Sequence, residues 1–170
     1  MFGLFDFISL ILSVFIILPI VSIIHETGHL FFAYLFKAKN HKLEIGCGKP
    51  LFEVGRIRIR RFYFWYSWCQ FEQLKRNSRI HYILVYAGPM IFNIVAAFLV
   101  NGLVYLKVLE ESKFWNQFIY YSIFFVIFDI LPMRYPDGQP SNGLVIYEMI
   151  RYGKKATFQK EKWGRTNYYC

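Results

Sequence analysis

The sequence predicts an all-α polytopic membrane protein, three transmembrane helices with a small β-rich insert on the cytoplasmic side. Three observations lead there. Of the 170 residues, 56% are hydrophobic and 21% aromatic, above the apolar share of an ordinary soluble domain. Three stretches are long and apolar enough to cross a hydrocarbon core of about 30 Å. The net charge of +9 is gathered into two segments that three spans would bring to one side of the bilayer.

The first expected span covers residues 8–36. Between 8 and 24 its only polar residues are Ser9, Ser13 and Ser22, and Pro19 predicts a mild kink. The opening MFGLFDF lacks the basic start of a secretory signal, and the apolar run outlasts a signal's usual 7–15 residues or so. The second span, 80–106, carries Gly88 and Pro89, tolerated in membrane helices where neighbours satisfy the freed backbone. Asn93 follows about one turn later. The third span, 114–131, ends at Pro132 and Pro136, which stop a regular helix and leave Asp137 on irregular backbone.

Between spans one and two lies a basic loop, 37–79. Its run Arg56-Ile57-Arg58-Ile59-Arg60 alternates with the period of a strand, and Gly55 stands where a turn would be. A small sheet or hairpin at the cytoplasmic surface follows, with the aromatics of 62–68 dipping into the interface. Residues 138–170 read as a cytoplasmic tail containing a short helix over 142–153, with Asn142 as a cap and Gly153 as a stop. The whole chain, 1–170, is one domain.

Loop 37–79 carries eleven Lys/Arg against three Glu, the turn 107–113 balances to zero, and 151–170 carries six against one. Positive charge collects on the cytoplasmic side. The N-terminus is therefore expected outside and the C-terminus inside a multi-pass protein of the cell membrane. The basic residues suit anionic lipid rather than nucleic acid. Cys47, Cys69 and Cys170 lack metal-ligand spacing and fall where disulfides are rare, so they read as structural or incidental.

Chemistry concentrates at His25-Glu26-Thr27-Gly28-His29. Residues four apart share a helix face, so His25 and His29 can grip one metal ion, with Glu26 within reach of a metal-bound water. Two imidazoles suit Zn²⁺, which takes a third protein ligand and leaves a place for water. Such an ion lowers the pKa of that water to about 7, and Glu26 would take its proton and pass it to the leaving amine. Counted back from Lys37, the motif lies roughly 12–18 Å inside the membrane, where ionisable groups cost several kcal/mol and mark function. His41, His81 and Asp137 are the candidates for the third ligand. The histidines read as interfacial, and Asp137, on an Asp-Gly turn where the third span meets the cytoplasmic half, is favoured.

Three motifs in order resemble the site-2 protease family of intramembrane zinc metalloproteases (peptidase family M50), in the form of a minimal three-helix core. They are His25-Glu26-Thr27-Gly28-His29, then Ala87-Gly88-Pro89 with Asn93, then Pro132 and Pro136 with Asp137-Gly138. The resemblance implies that His25, His29 and Asp137 bind one Zn²⁺, that Glu26 is the base, and that Asn93 positions substrate or stabilises the oxyanion. Gly88, Pro89 and Gly138 would support them. It implies hydrolysis of a peptide bond in a membrane-spanning or membrane-associated substrate, which the insert would contact. An inactive relative that binds a partner segment is the alternative. Two departures stand out. Asp129 occupies the place of the family's Asn, where an uncharged carboxyl in a hydrogen-bonding role is expected, and Gly138 is followed by Gln139 rather than a second glycine.

Overall fold

The computed structural model describes residues 3–39, 42–70, 74–75, 78–135 and 140–153. In chain order the elements are α1 (Leu4–Leu12), a π-helical segment (Ser13–Ile17), α2 (Leu18–Leu35), β1 (Lys42–Val54), β2 (Ile57–Gln70), α3 (Arg79–Tyr105), α4 (Lys113–Ile130) and α5 (Asn142–Tyr152).

The expected all-α core of three spans is corrected on two counts. Among the described residues two helices are long and apolar enough to cross a membrane, Asp6–Leu35 and Arg79–Tyr105. Helix α4 is not a third: its 18 residues include Lys113, Asn116, Gln117 and Asp129 with two tyrosines, which dilute its apolar content. It packs beside α2 and α3 nonetheless. The insert is a two-stranded hairpin of 13 and 14 residues laid against α2, so the fold is α+β rather than all-α.

The hairpin curls on itself. Leu43 pairs with both Cys69 and Ile57, Glu44 with both Trp68 and Arg58, and Ile45 with both Ser67 and Ile59. Residues 43–45 therefore lie between the two ends of β2, which brings two arginines onto Glu44. Arg58 Nη1 donates to Glu44 Oε1 at 3.2 Å, and Arg60 Nη2 and Nε donate to Oε2 at 2.7 and 2.9 Å. Glu44 is buried, where a lone carboxylate would be costly. The Arg-Ile-Arg-Ile-Arg alternation thus supplies its counter-charges. Gly55 makes the turn with φ of 60°, as its place in the sequence predicts.

Prolines in both long helices free carbonyl groups that the rest of the chain uses. Pro19 has no N–H for the carbonyl four residues back, Phe15. The Tyr63 hydroxyl of β2 donates to that oxygen at 3.4 Å, and the Phe64 ring meets the Phe15 ring at 4.7 Å between centroids. The kink expected at Pro19 is accompanied by the π turn over Ser13–Ile17 just before it. The hairpin aromatics consequently lie along the first helix rather than only at the surface.

Two buried clusters flank the middle of the bundle. Ile17, Val21, Val100 and Phe118 close one end, and Ala33, Val85, Tyr86, Val145 and Met149 close the other. The outer faces stay apolar: Phe98 is 70% and Leu99 57% exposed on α3, and Phe31 and Leu35 about half on α2. Apolar surface this extensive needs a lipid or protein cover. At α5 the cap is Ser141, whose Oγ accepts from Leu144 N at 3.1 Å, and not Asn142 as expected. Gly153 ends the helix with φ of 63°, as expected. Cys47 is disulfide-bonded, where the sequence argued that disulfides are rare, and Cys69 is free.

Candidate functional site

Helix α2 places His25 and His29 one turn apart, with ring centroids 6.3 Å from each other, and Glu26 beside them. All three are buried at 8% exposure. Helix α3 contributes Asn93, fully buried, and α4 contributes Asp129 at 5%. Phe125 and Tyr86 close the sides, with ring centroids 5.6 Å from His25 and 5.7 Å from His29 respectively. Four of the expected site residues, His25, Glu26, His29 and Asn93, are therefore brought together. Asp137 and Gly138 lie outside the described residues.

The close approach of α2 and α3 is set by glycine. A Cβ on Gly28 would stand 2.5 Å from the Gly88 carbonyl group, and one on Gly88 would stand 2.5 Å from the Gly28 oxygen. Small residues let membrane helices touch backbone to backbone. Next to that contact, Pro89 lacks the N–H that would bond the Val85 carbonyl. His29 Nδ1 takes its place, 2.8 Å from Val85 O. The Gly-Pro pair thus does two tasks: Gly88 admits α2, and Pro89 leaves an acceptor for His29, which holds that ring with its proton on Nδ1.

His25 is held differently. Its Nδ1 lies 3.1 Å from Asn93 Nδ2 and its Nε2 3.6 Å from Asp129 Oδ2. Asp129 is itself gripped by α5: Asn142 N donates to Oδ1 at 3.1 Å and Asn142 Nδ2 to Oδ2 at 2.7 Å. Asp129 is an acceptor on both oxygens. The Glu26 carboxyl accepts a hydrogen bond from the backbone N–H of Cys69 in β2. The Cys69 thiol is pushed up from its ordinary pKa by burial and then by Glu26, so it stays a protonated, unreactive thiol.

These contacts correct the expectation of one zinc per chain. Among the described residues no group of three or more His, Cys, Asp or Glu is arranged to hold a metal ion. Both nitrogens of His25 face protein partners, the Asp129 carboxylate is bound by Asn142, and Glu26 is bound by the β2 backbone. His29 Nδ1 is likewise taken by the Val85 carbonyl, and no step below is routed through a metal.

The sequence did not reveal the Cys69 N–H, the Asp129–Asn142 pair or the use of Val85 O. The backbone partners carry no side-chain signature. A signal for the pair did exist: Asp129 departs from the resembled motif, and Asn142 is an amide at the first residue of a helix.

No protein-family model and no solved structure matches the chain. A protein of Bacillus subtilis (strain 168) described as "Uncharacterized membrane protein YwmF" is 42% identical over 160 residues, covering 94% of this chain and all of that protein. Identity at that level over nearly the full length, with two helices able to cross a bilayer and apolar outer faces, makes this a membrane protein that belongs to the YwmF family.

Proposed function

We propose that the chain is a membrane-embedded endopeptidase with Glu26 handling the protons. The observation that carries the reading is the burial of Glu26 on the helix turn that carries His25 and His29, against the Cys69 backbone of β2. Glu26 takes a proton from water as its oxygen attacks the peptide carbonyl carbon. The C–N bond breaks and Glu26 passes the proton to the leaving amine. One amide atom of Asn93, its Oδ1, is buried without a hydrogen-bond partner, and in this reading it accepts from the water or the peptide N–H. The substrate is a membrane-spanning or membrane-associated peptide, unwound so that its bond is exposed.

In this reading the protein is multi-pass. Loop 37–79, with a charge of +8 against zero for 107–113, faces the cytoplasm, and the N-terminus lies outside. Arg79 donates to the Ile150 carbonyl, which sets α5 beside the start of α3.

A second reading, a partner-binding protein without hydrolysis, is favoured by one observation: His25, Glu26 and His29 each already have a partner within the fold. The test co-expresses wild type or Glu26→Gln with a panel of model transmembrane segments, each between two epitope tags. Cleavage by wild type, lost in Glu26→Gln with the protein level unchanged, is the expected result. Equal cleavage in both would move the chemistry away from Glu26. No cleavage by either, with tagged segments co-purifying, would replace the peptidase by the binding protein.

A further inference from the structure

We infer that Asp129 is a positioning residue: clamped by Asn142, it holds the His25 imidazole as the Nε2–H tautomer, opposite to the Nδ1–H tautomer of His29. The case is geometric. His29 donates from Nδ1 to Val85 O at 2.8 Å, an acceptor that Pro89 leaves vacant. His25 meets an amide donor at Nδ1, Asn93 Nδ2 at 3.1 Å, and a carboxylate at Nε2, Asp129 Oδ2 at 3.6 Å. A nitrogen facing a donor carries a lone pair, and the proton belongs on the nitrogen facing the negative charge. The 3.6 Å separation exceeds a hydrogen bond, so the hold is electrostatic, and burial of both groups strengthens it.

The clamp explains why the carboxylate stays there. Asn142 donates to both of its oxygens, and Ser141 ties the same junction. Ser141 Oγ donates to Leu131 O at 2.5 Å, and Met133 N donates to Ser141 Oγ at 3.2 Å. The start of α5 is thereby lashed to the end of α4, one turn from the His25 contact. Two neighbouring imidazoles in opposite tautomers give the pocket one ring that offers an N–H at Nε2 and one that offers a lone pair there. Only the catalytic consequence rests on the peptidase reading; the tautomers themselves do not.

Asp129→Asn isolates the effect. The amide oxygen still accepts from Asn142 N, and a rotated Asn142 amide can accept from the new NH2, so the clamp survives while His25 loses the negative charge facing Nε2. Histidine-selective ¹⁵N labelling of detergent-solubilised full-length protein reads each ring, with His25→Gln and His29→Gln supplying assignments. In wild type we expect the proton on Nε2 of His25 and on Nδ1 of His29. In Asp129→Asn the His25 signals should move while those of His29 stay, with the thermal midpoint near wild type. Asn142→Ala should lower that midpoint. If Asp129→Asn does not fold, the swap Asp129→Asn with Asn142→Asp keeps an amide–carboxylate clamp and should show the same moved His25 signal. A wild-type His25 protonated on Nδ1, or His25 signals indifferent to Asp129, would overturn the proposal. The expected tautomers in a protein that cleaves nothing would sink the peptidase reading and leave this one standing.

Discussion

Gly28 of α2 and Gly88 of α3 meet backbone against backbone, and neither position has room for a methyl group. The middle of the His-Glu-x-x-His run therefore contains a helix-packing residue. Gly28→Ala and Gly88→Ala should each push the helices apart and destabilise the fold by about 1–3 kcal/mol, as overpacking does. Melting of the purified protein in one detergent measures it. Gly102, with open space around its position, is the control, and Gly102→Ala should be stable. Equal behaviour of all three would contradict the close contact.

Pro89→Ala should preserve the protein and disturb the site. The new backbone N–H would compete with His29 Nδ1 for Val85 O, while an alanine is better tolerated in a helix by roughly 3 kcal/mol. We expect an unchanged or higher melting temperature, a displaced His29 imidazole signal and reduced cleavage. A His29 signal identical to wild type would show that Val85 O does not hold the ring.

In the hairpin the two glutamates should rank by burial. Glu44 is buried with Arg58 and Arg60 on it, so Glu44→Gln should cost about 2–3 kcal/mol, towards the low end for a broken buried pair because both arginines are partly exposed. Glu53 is exposed, and Glu53→Gln should cost far less. The hydrogen bond from Arg58 holds the Glu53 carboxyl below its ordinary value. A depressed folded pKa stabilises above the unfolded value and is lost as pH falls through the folded one. The small difference between wild type and Glu53→Gln should accordingly exist at neutral pH and vanish in acid. A difference that grows on acidification would reverse the sign and refute the pairing.

Single cysteines in a cysteine-free background test the orientation. Glu111→Cys should react with a membrane-impermeant maleimide on intact cells, and Lys75→Cys only after permeabilisation. Both positions are exposed. The opposite pattern would turn the protein over.

Much of this was legible in the sequence because it rests on local chemistry. The two imidazoles one turn apart, the strand alternation, the turn at Gly55 and the stop at Gly153 are all set by neighbours a few residues away. The count of spans was misread at α4, where tyrosines and amides sit in an otherwise greasy stretch and packing against α2 and α3 imitates a membrane-spanning pattern. The curl of the insert was not legible because it depends on pairing residues 43–45 with both ends of β2, a long-range choice. The expected metal site failed for a related reason. Residue types suggested convergence on an ion, whereas orientation is settled by Asn93, Asp129, Asn142 and a backbone carbonyl that only the tertiary contacts reveal.

The curl of the hairpin also has a bearing on biogenesis. An unpaired strand cannot enter hydrocarbon without leaving its amides unsatisfied, and Glu44 cannot enter it without its arginines. Ribosomal synthesis releases Glu44 well before Arg58, Arg60 and Cys69, so the first helix is already emerging while its future neighbour is still an open chain. The hairpin must close in water and dock afterwards as a finished piece. The seam between Phe15 and Phe64 is then a joint between two pieces made apart, and a chain stalled before β2 is complete leaves that side of the first helix uncovered.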